Sequence, residues 1–251
     1  MTWPQIAALD REVVVLVPIA AVEQHGHHLP MATDTILCDA VVFGVENLKP
    51  EKILLLPTQW LGASTHHLGM PGTLSATWSS HINIILEPIR CLLEHGFKRI
   101  LIVNGHGGNA DGFHLALRQL ALEKPHVFLG GINYWDAAAD QVRDLLRGPR
   151  KSVGHACEFE TALMMHLRPE LVATAEIKDD DVGPELLALR NVFFPLDMKH
   201  QTKYGCAGNP TAAMAETGRR LYEAVIAGLA KTIEDIRALP LKADRPKSFN
   251  D

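Results

Sequence analysis

Lys98-Arg-Ile-Leu-Ile-Val103 runs into Asn104-Gly-His-Gly-Gly-Asn109 and then into Ala110 to Glu123. The first block is a short β-branched and aliphatic run, the signature of a strand buried on both faces. The second is a glycine-rich turn around one histidine, and the third carries apolar residues at helical spacing. The same order recurs on either side. Arg11 to Pro18, Ile53 to Pro57 and Val127 to Ile132 read as further buried strands. Thr35 to Leu48, Ala137 to Leu146, His155 to Leu167 and Thr211 to Leu239 read as helices. One more helix runs to His95 from a cap at Ser75 or Thr77, and Gly96 stands where a C-cap glycine belongs. Strands alternating with helices predict one α/β domain over residues 1–251, a three-layer α/β/α sandwich on a mainly parallel sheet, with 240–251 as a polar tail. Such sheets bind ligands beyond the carboxyl ends of their strands, near a switch in strand order. The polar motifs should therefore follow strands.

Composition narrows the function. The chain has 251 residues, 47% hydrophobic and 21% charged, the proportions of a soluble globular protein. Lys plus Arg is 24 and Asp plus Glu is 29, a net charge of −5, which argues against a protein that coats nucleic acid. Met1-Thr-Trp-Pro-Gln5 carries no secretory pattern, and Val13 to Ala21 is far shorter than the ~20 residues of a membrane helix. Cys38, Cys91, Cys157 and Cys206 form no C-x-x-C pair and read as reduced thiols. The expectation is a cytoplasmic enzyme with a small-molecule substrate, without a nucleic-acid or membrane partner. Of the 13 histidines, nine fall between residues 25 and 114, which directs attention to that half.

The first strand leads into Glu23-Gln-His-Gly-His-His-Leu-Pro30 and then Thr33-Asp-Thr35. In extended chain, residues two apart point to one side, so Glu23 and His25 reach a common point. Asp34, at the start of the next helix, folds back toward them. Two carboxylates and an imidazole suit Zn²⁺, Mn²⁺ or Fe²⁺; a surface loop with an N-cap aspartate is the plainer alternative. His106 in its glycine turn is a further ligand candidate. The same turn spells Gly105-x-Gly-x-x-Ala110, a variant dinucleotide fingerprint, but Pro125-His-Val-Phe-Leu-Gly130 holds no acid to bind a ribose. Gly154-His-Ala-Cys-Glu-Phe-Glu-Thr161 opens a helix whose dipole would keep His155 a neutral base; an ordinary solvated first turn is the alternative. Gly62 to His67 and Met70 to Leu74 form a polar loop, either a substrate wall or a connection. Asp179-Asp-Asp181 reads as a solvated charge run, and His81, His95, His114 and His166 as structural residues on helices. No G-x-S-x-G elbow or H-E-x-x-H helix occurs.

As a set, these blocks resemble the creatininase (creatinine amidohydrolase) family. The resemblance rests on Glu23-Gln-His-Gly-x-His-Leu-Pro with Thr33-Asp-Thr, on Asn104-Gly-His-Gly-Gly-Asn109, on Pro71-Gly-Thr-Leu-Ser75, on Gly154-His-Ala-x-x-x-Glu-Thr161 and on Gly208-Asn-Pro-Thr-Ala-Ala212. It spans residues 18 to about 225. It implies a three-layer α/β/α fold, hexamers and a two-metal hydrolytic site. Glu23, Asp34 and His106 would hold one ion; His25 and a bridging Asp34 would hold the second. Creatininase itself has a second-metal glutamate two positions after the strand-three histidine, where this chain has Gly108. Glu160 is then the nearest carboxylate to take its place, or else it orients His155. An aromatic residue in creatininase is replaced by Gly107, and Lys151 to Val153 stand in place of a tryptophan. These departures point to formamides, peptide ends or cyclic sugar-derived compounds as substrates instead of creatinine.

The expected function is metal-dependent hydrolysis of a C–N bond, in an amide, formamide or cyclic amide, with one or two ions of Zn, Mn or Fe per subunit. His155 is the expected proton shuttle. His66, His67 and the Gly105–Asn109 turn, including Gly107 and Gly108, are expected to orient substrate, with His27 and His28 beside them. The alternatives are a lactone or cyclic sugar-ketone hydrolase, a dinucleotide-binding oxidoreductase and a non-catalytic metal-binding module. Trp3, Trp60, Trp78 and Trp135 serve either a core or an interface.

Overall fold

All six residues of strand β1 (Val14–Ile19) are buried, as are those of β3 (Arg99–Asn104). Successive side chains on each strand enter different cores. Val14, Leu16, Leu101 and Val103 join one apolar cluster, while Val15, Val17, Ile100 and Ile102 join the other. A strand covered on both sides has no polar face, which is why these segments lack alternation in sequence. The computed structural model describes residues 1–181, 195 and 197–241, so the 240–251 tail lies outside the described residues beyond Leu241.

The described strands, completed by β2 (Ile53–Leu55) and β4 (Phe128–Asn133), form a parallel sheet in the order β2-β1-β3-β4. Val14 lies level with Ile53 on one side and Arg99 on the other, and Arg99 with Phe128. The strand order therefore reverses between β1 and β3, with β2 added on one side of β1 and β3 on the other. One face is covered by the helices here labelled α3 (Trp78–Glu94) and α4 (Ala110–Glu123), whose Ile85, Ile89, Phe113 and Leu120 fill one cluster. The other is covered by α2 (Thr33–Leu48), α6 (Glu158–Leu167) and α8 (Ala215–Ala238). The smaller helices are α1 (Trp3–Ala7), α5 (Ala139–Leu145) and α7 (Met198–Gln201). This is the predicted α/β/α sandwich.

The differences from the sequence reading have local causes. β3 and β4 run one residue past their apolar blocks because Asn104 pairs with Asn133, and their side chains share a 2.8 Å hydrogen bond. α3 takes its cap from Thr77, whose Oγ1 accepts from the Ser80 N–H at 3.3 Å. α6 begins at Glu158 instead of His155, because Ala156 adopts φ +46° and His155 pairs with Ala207. A buried alanine in the left-handed region is uncommon, and it turns His155 off the helix axis. α8 begins at Ala215 because Pro210–Ala212 forms its own 3₁₀ turn.

Candidate functional site

The loops leaving β1, β2 and β3 meet beyond the carboxyl ends of those strands, beside the switch in strand order. The β1 loop brings Glu23, Gln24 and His25, and the β2 loop brings His66 and His67 on a 3₁₀ turn (Thr65–His67). The β3 loop brings His106, and Asp34 enters from the first turn of α2. Glu23, His25, Asp34 and His106 are all buried to at least 96%.

Asp34 divides this cluster in two. Its Oδ2 lies 3.1 Å from His106 Nδ1, which is itself 3.3 Å from Glu23 Oε1. Its Oδ1 lies 3.0 Å from His25 Nε2, which is 3.8 Å from Glu160 Oε1. The outer nitrogens of three histidines face backbone carbonyls, which only accept. His25 Nδ1 donates to Glu23 O at 3.1 Å, His106 Nε2 to Ala63 O at 3.3 Å and His155 Nε2 to Gln24 O at 2.7 Å. In its neutral form each ring therefore turns its other nitrogen inward with a lone pair. Meanwhile Glu23 Oε1 and Oε2 and Asp34 Oδ2 are buried without an aligned hydrogen-bond donor. Buried carboxylate oxygens are costly unless matched by hydrogen bonds, charge or metal. Orphaned hard oxygens facing imidazole lone pairs fit a divalent cation of the Zn or Mn type.

Electrostatics agrees with that fit. Burial pushes the Glu23 carboxyl up to about 7. Burial acts the same way on Asp34, but the charges and hydrogen bonds of His25 and His106 overcome it and hold Asp34 below the usual carboxylate range. Burial works against charge on His106 and His25 too, yet Glu23 and Asp34 raise His106 to about 9, and Asp34 raises His25 well above its ordinary value. Without metal, protons on these two rings neutralise the carboxylates; a divalent cation does so in their place and releases them.

His155 is held well below its ordinary value by burial and by the neighbouring His25 charge, not by the dipole of a helix that begins three residues later. Its Nδ1 lies 3.4 Å from Glu23 Oε1. His67 is lowered by burial and His155, and His66 is lowered to about 4 by burial. His67 Nε2 stands 3.3 Å from Glu23 Oε1, and the His66 ring stacks over His106 at 5.8 Å.

Gly107 and Gly108 differ physically. A Cβ on Gly107 would meet nothing within 4 Å, whereas one on Gly108 would stand 2.3 Å from His106 Nε2 and 2.5 Å from Ala63 O. No side chain fits at 108 with this backbone, so a glutamate there is sterically barred and Glu160 is the carboxylate on that flank. Glu160 is anchored at the start of α6, where its Oε2 accepts from the Cys157 N–H at 3.4 Å. Asn109 ties the loops together. Its Oδ1 accepts from Ala63 N–H at 2.9 Å, and its Nδ2 donates to Ala20 O at 3.1 Å. A cavity of about 1230 Å³ opens from the cluster and is walled by Trp78, Leu115, Trp135, Val153 and Met198, with Arg118 at its edge.

All the candidate ligands, together with His155, His66, His67, Gly107 and Gly108, border this cavity or lie under it. Other sequence readings need correction. His28 is buried away from the cavity on Thr161 Oγ1 at 2.8 Å, and His27 is exposed against Tyr204. The Asp179–Asp181 run is not merely solvated: Asp179 accepts from Thr211, Asp180 from the Tyr204 N–H, and Asp181 pairs with Arg150. His114 borders the cavity instead of serving only its helix. Gln24 was missed. Period-two alternation sends it away from Glu23 and His25, and on that side it meets His67 and His155.

The family model described as creatinine amidohydrolase matches residues 1–233. The chain belongs to the creatininase family. It is 31% identical over 242 residues to the mycofactocin precursor peptide peptidase of Mycobacterium ulcerans (strain Agy99), covering 90% of this chain and 82% of that one. It is 30% identical over 256 residues to the creatinine amidohydrolase of Pseudomonas putida, covering 94% and 95%. The solved structure "Creatininase Mn" superimposes with a TM-score of 0.77 at 27% identity, over 94% of this chain and 96% of that one. As a creatininase-family member this chain is a hydrolase, which sets aside the oxidoreductase and non-catalytic readings.

Proposed function

We propose that this creatininase-family enzyme hydrolyses a C–N bond, in an amide, formamide or cyclic amide, with one or two divalent cations per subunit. The observation that carries the reading is Asp34, whose two oxygens face two separate sets of inward imidazole and carboxylate atoms. Glu23, Asp34 and His106 would hold one cation, and Asp34, His25 and Glu160 the other. Such cations polarise a carbonyl and lower the pKa of bound water toward 7.

The chain's own residues do the rest. The bare Nδ1 of His155 takes a proton from the attacking water as the water oxygen bonds the carbonyl carbon. It returns that proton to the leaving nitrogen as the C–N bond breaks, a role worth about 10²–10⁴-fold. The Nε2–H of the same ring stays on Gln24 O and keeps the tautomer. His66, His67 and the open edge at Gly107 orient the substrate. The cavity exceeds the roughly 300–1,000 Å³ of common ligand sites, so it favours an amide carrying a larger group than the creatinine ring.

A homo-oligomer, hexameric in the manner of the family resemblance, and a cytoplasmic setting belong to the same proposal. Among the described residues, no helix is long and apolar enough to cross a membrane. Sedimentation tests the assembly. For the activity, protein loaded with Zn²⁺ or Mn²⁺ is assayed on N-formyl amides, short peptides, creatinine and lactones. Hydrolysis of an amide or formamide supports the proposal. A metal-replete protein inert to all of them, or one cleaving only lactones, overturns it.

A further inference from the structure

Gln24 is buried between two histidines of the site, and its amide orientation is settled by backbone partners of fixed polarity. Its Oε1 accepts from the Gly26 N–H at 3.0 Å, and its Nε2 donates to Gly205 O at 2.9 Å. One N–H remains. Two ring nitrogens are near it: His67 Nδ1 at 2.8 Å and His155 Nε2 at 2.9 Å. His155 Nε2 carries its own hydrogen, because it donates to Gln24 O at 2.7 Å. It cannot also accept. The free amide hydrogen therefore goes to His67 Nδ1, which must be bare, and His67 must carry its hydrogen on Nε2.

The two rings thus hold the same tautomer and present opposite ends to the site. His155 turns a lone pair inward, while His67 turns an N–H inward. That N–H is not committed to Glu23. Nε2 lies 3.3 Å from Glu23 Oε1, but this oxygen has no aligned donor.

We propose that Gln24 is a positioning residue that locks His67 as an inward N–H donor for the substrate carbonyl oxygen, and so separates it in role from the base His155. The role of the N–H rests on the hydrolase reading above; the tautomer does not. Donors fixed in advance where negative charge develops lower a barrier without reorganising during reaction. Gln24→Glu removes the donor and replaces it with an acceptor. His67 must then place its hydrogen on Nδ1 and turn a bare nitrogen inward.

The first experiment is decided in the wild type. In Zn²⁺-loaded protein labelled with ¹⁵N-histidine, long-range ¹H–¹⁵N correlations report which nitrogen of each ring is protonated. His67 is expected to show a bare Nδ1 in the wild type and a protonated Nδ1 in Gln24→Glu. A protonated Nδ1 in the wild type overturns the proposal whether or not a substrate is known.

The second experiment is a double-mutant cycle on whichever amide the panel identifies. Gln24→Glu and His67→Leu are each expected to lower kcat by about 10²-fold, with KM changed much less, and the double variant to lose no more than either. Metal content, read separately, should stay at the wild-type level. Additive losses, or an unchanged kcat in Gln24→Glu, would refute the coupling.

Discussion

His25 Nε2 lies 3.0 Å from Asp34 Oδ1, while the opposite oxygen of Asp34 serves His106. One carboxylate thereby belongs to both halves of the site, whereas Glu160 reaches only the His25 half. Metal stoichiometry should follow that division. Wild-type protein loaded with excess Zn²⁺ is expected to hold two ions, Glu160→Gln one and Asp34→Asn none. Loss of a neighbouring outer residue typically costs about 10–100-fold in metal affinity or activity, so loss of Asp34 should cost more. Elemental analysis after gel filtration reads the result. Equal metal content in the two variants would show that Asp34 does not join the halves.

The two central glycines of the β3 loop should respond in opposite ways. Gly107→Trp places its side chain in open space. It should leave the thermal midpoint unchanged, shrink the cavity and shift selectivity toward smaller amides. Gly108→Glu would supply the carboxylate that the family resemblance leads one to expect at this place, yet it should not create a ligand. Its Cβ would collide with Ala63 O and His106 Nε2, a backbone atom and a packed ring. Overpacking of this kind costs about 1–3 kcal/mol, and displacement of His106 should lower metal content as well. A stable Gly108→Glu protein with more bound metal would contradict this account.

What could be read in advance follows from what sequence encodes locally. The sheet was legible because Val14, Val15, Ile100 and Ile102 are apolar on both strand faces. Glu23, His25 and His106 were legible because each follows shortly after a strand end, and Asp34 because it opens the next helix. Gln24 was not, since its role depends on His67, Gly205 and His155, which lie up to 181 residues away. The start of α6 was misread because the left-handed Ala156 follows from a pairing with Ala207 that no local pattern announces. Residues 179–181 looked like a solvated run because the partners of Asp179 and Asp180 lie beyond residue 200.

Chelation should act on stability as well as on turnover. Without a cation, buried Glu23 and Asp34 depend on protons held by His25 and His106. A ligand that binds only the folded state at 100 times its Kd stabilises it by about 2.7 kcal/mol. Exhaustive dialysis against a strong chelator should therefore lower the calorimetric midpoint and abolish hydrolysis, and Zn²⁺ or Mn²⁺ should restore both. Mg²⁺, which prefers an all-oxygen octahedral shell, should restore neither well. An unchanged midpoint after verified metal removal would count against a buried cation.

Asn109 should matter more than its distance from the metal ligands suggests. Its amide joins three loops, through Ala63 on the β2 side, Ala20 on the β1 side and Asn104 Oδ1 at 3.2 Å on the β3 side. The residue is fully buried, so Asn109→Ala strands backbone groups that water cannot reach. Each stranded group costs about 1–3 kcal/mol, and two of them should lower unfolding free energy by roughly 2–4 kcal/mol if the loops relax in part. Asn109→Asp keeps the acceptor for Ala63, loses the donor to Ala20 and buries a charge, so it should be no better. Urea titration of metal-free protein measures the stability term. A parallel Zn²⁺ titration separates it from the site, because loosened loops should weaken metal binding even where the variant remains folded. A variant as stable as the wild type, with the same Zn²⁺ affinity, would show that the loops hold their arrangement without this amide.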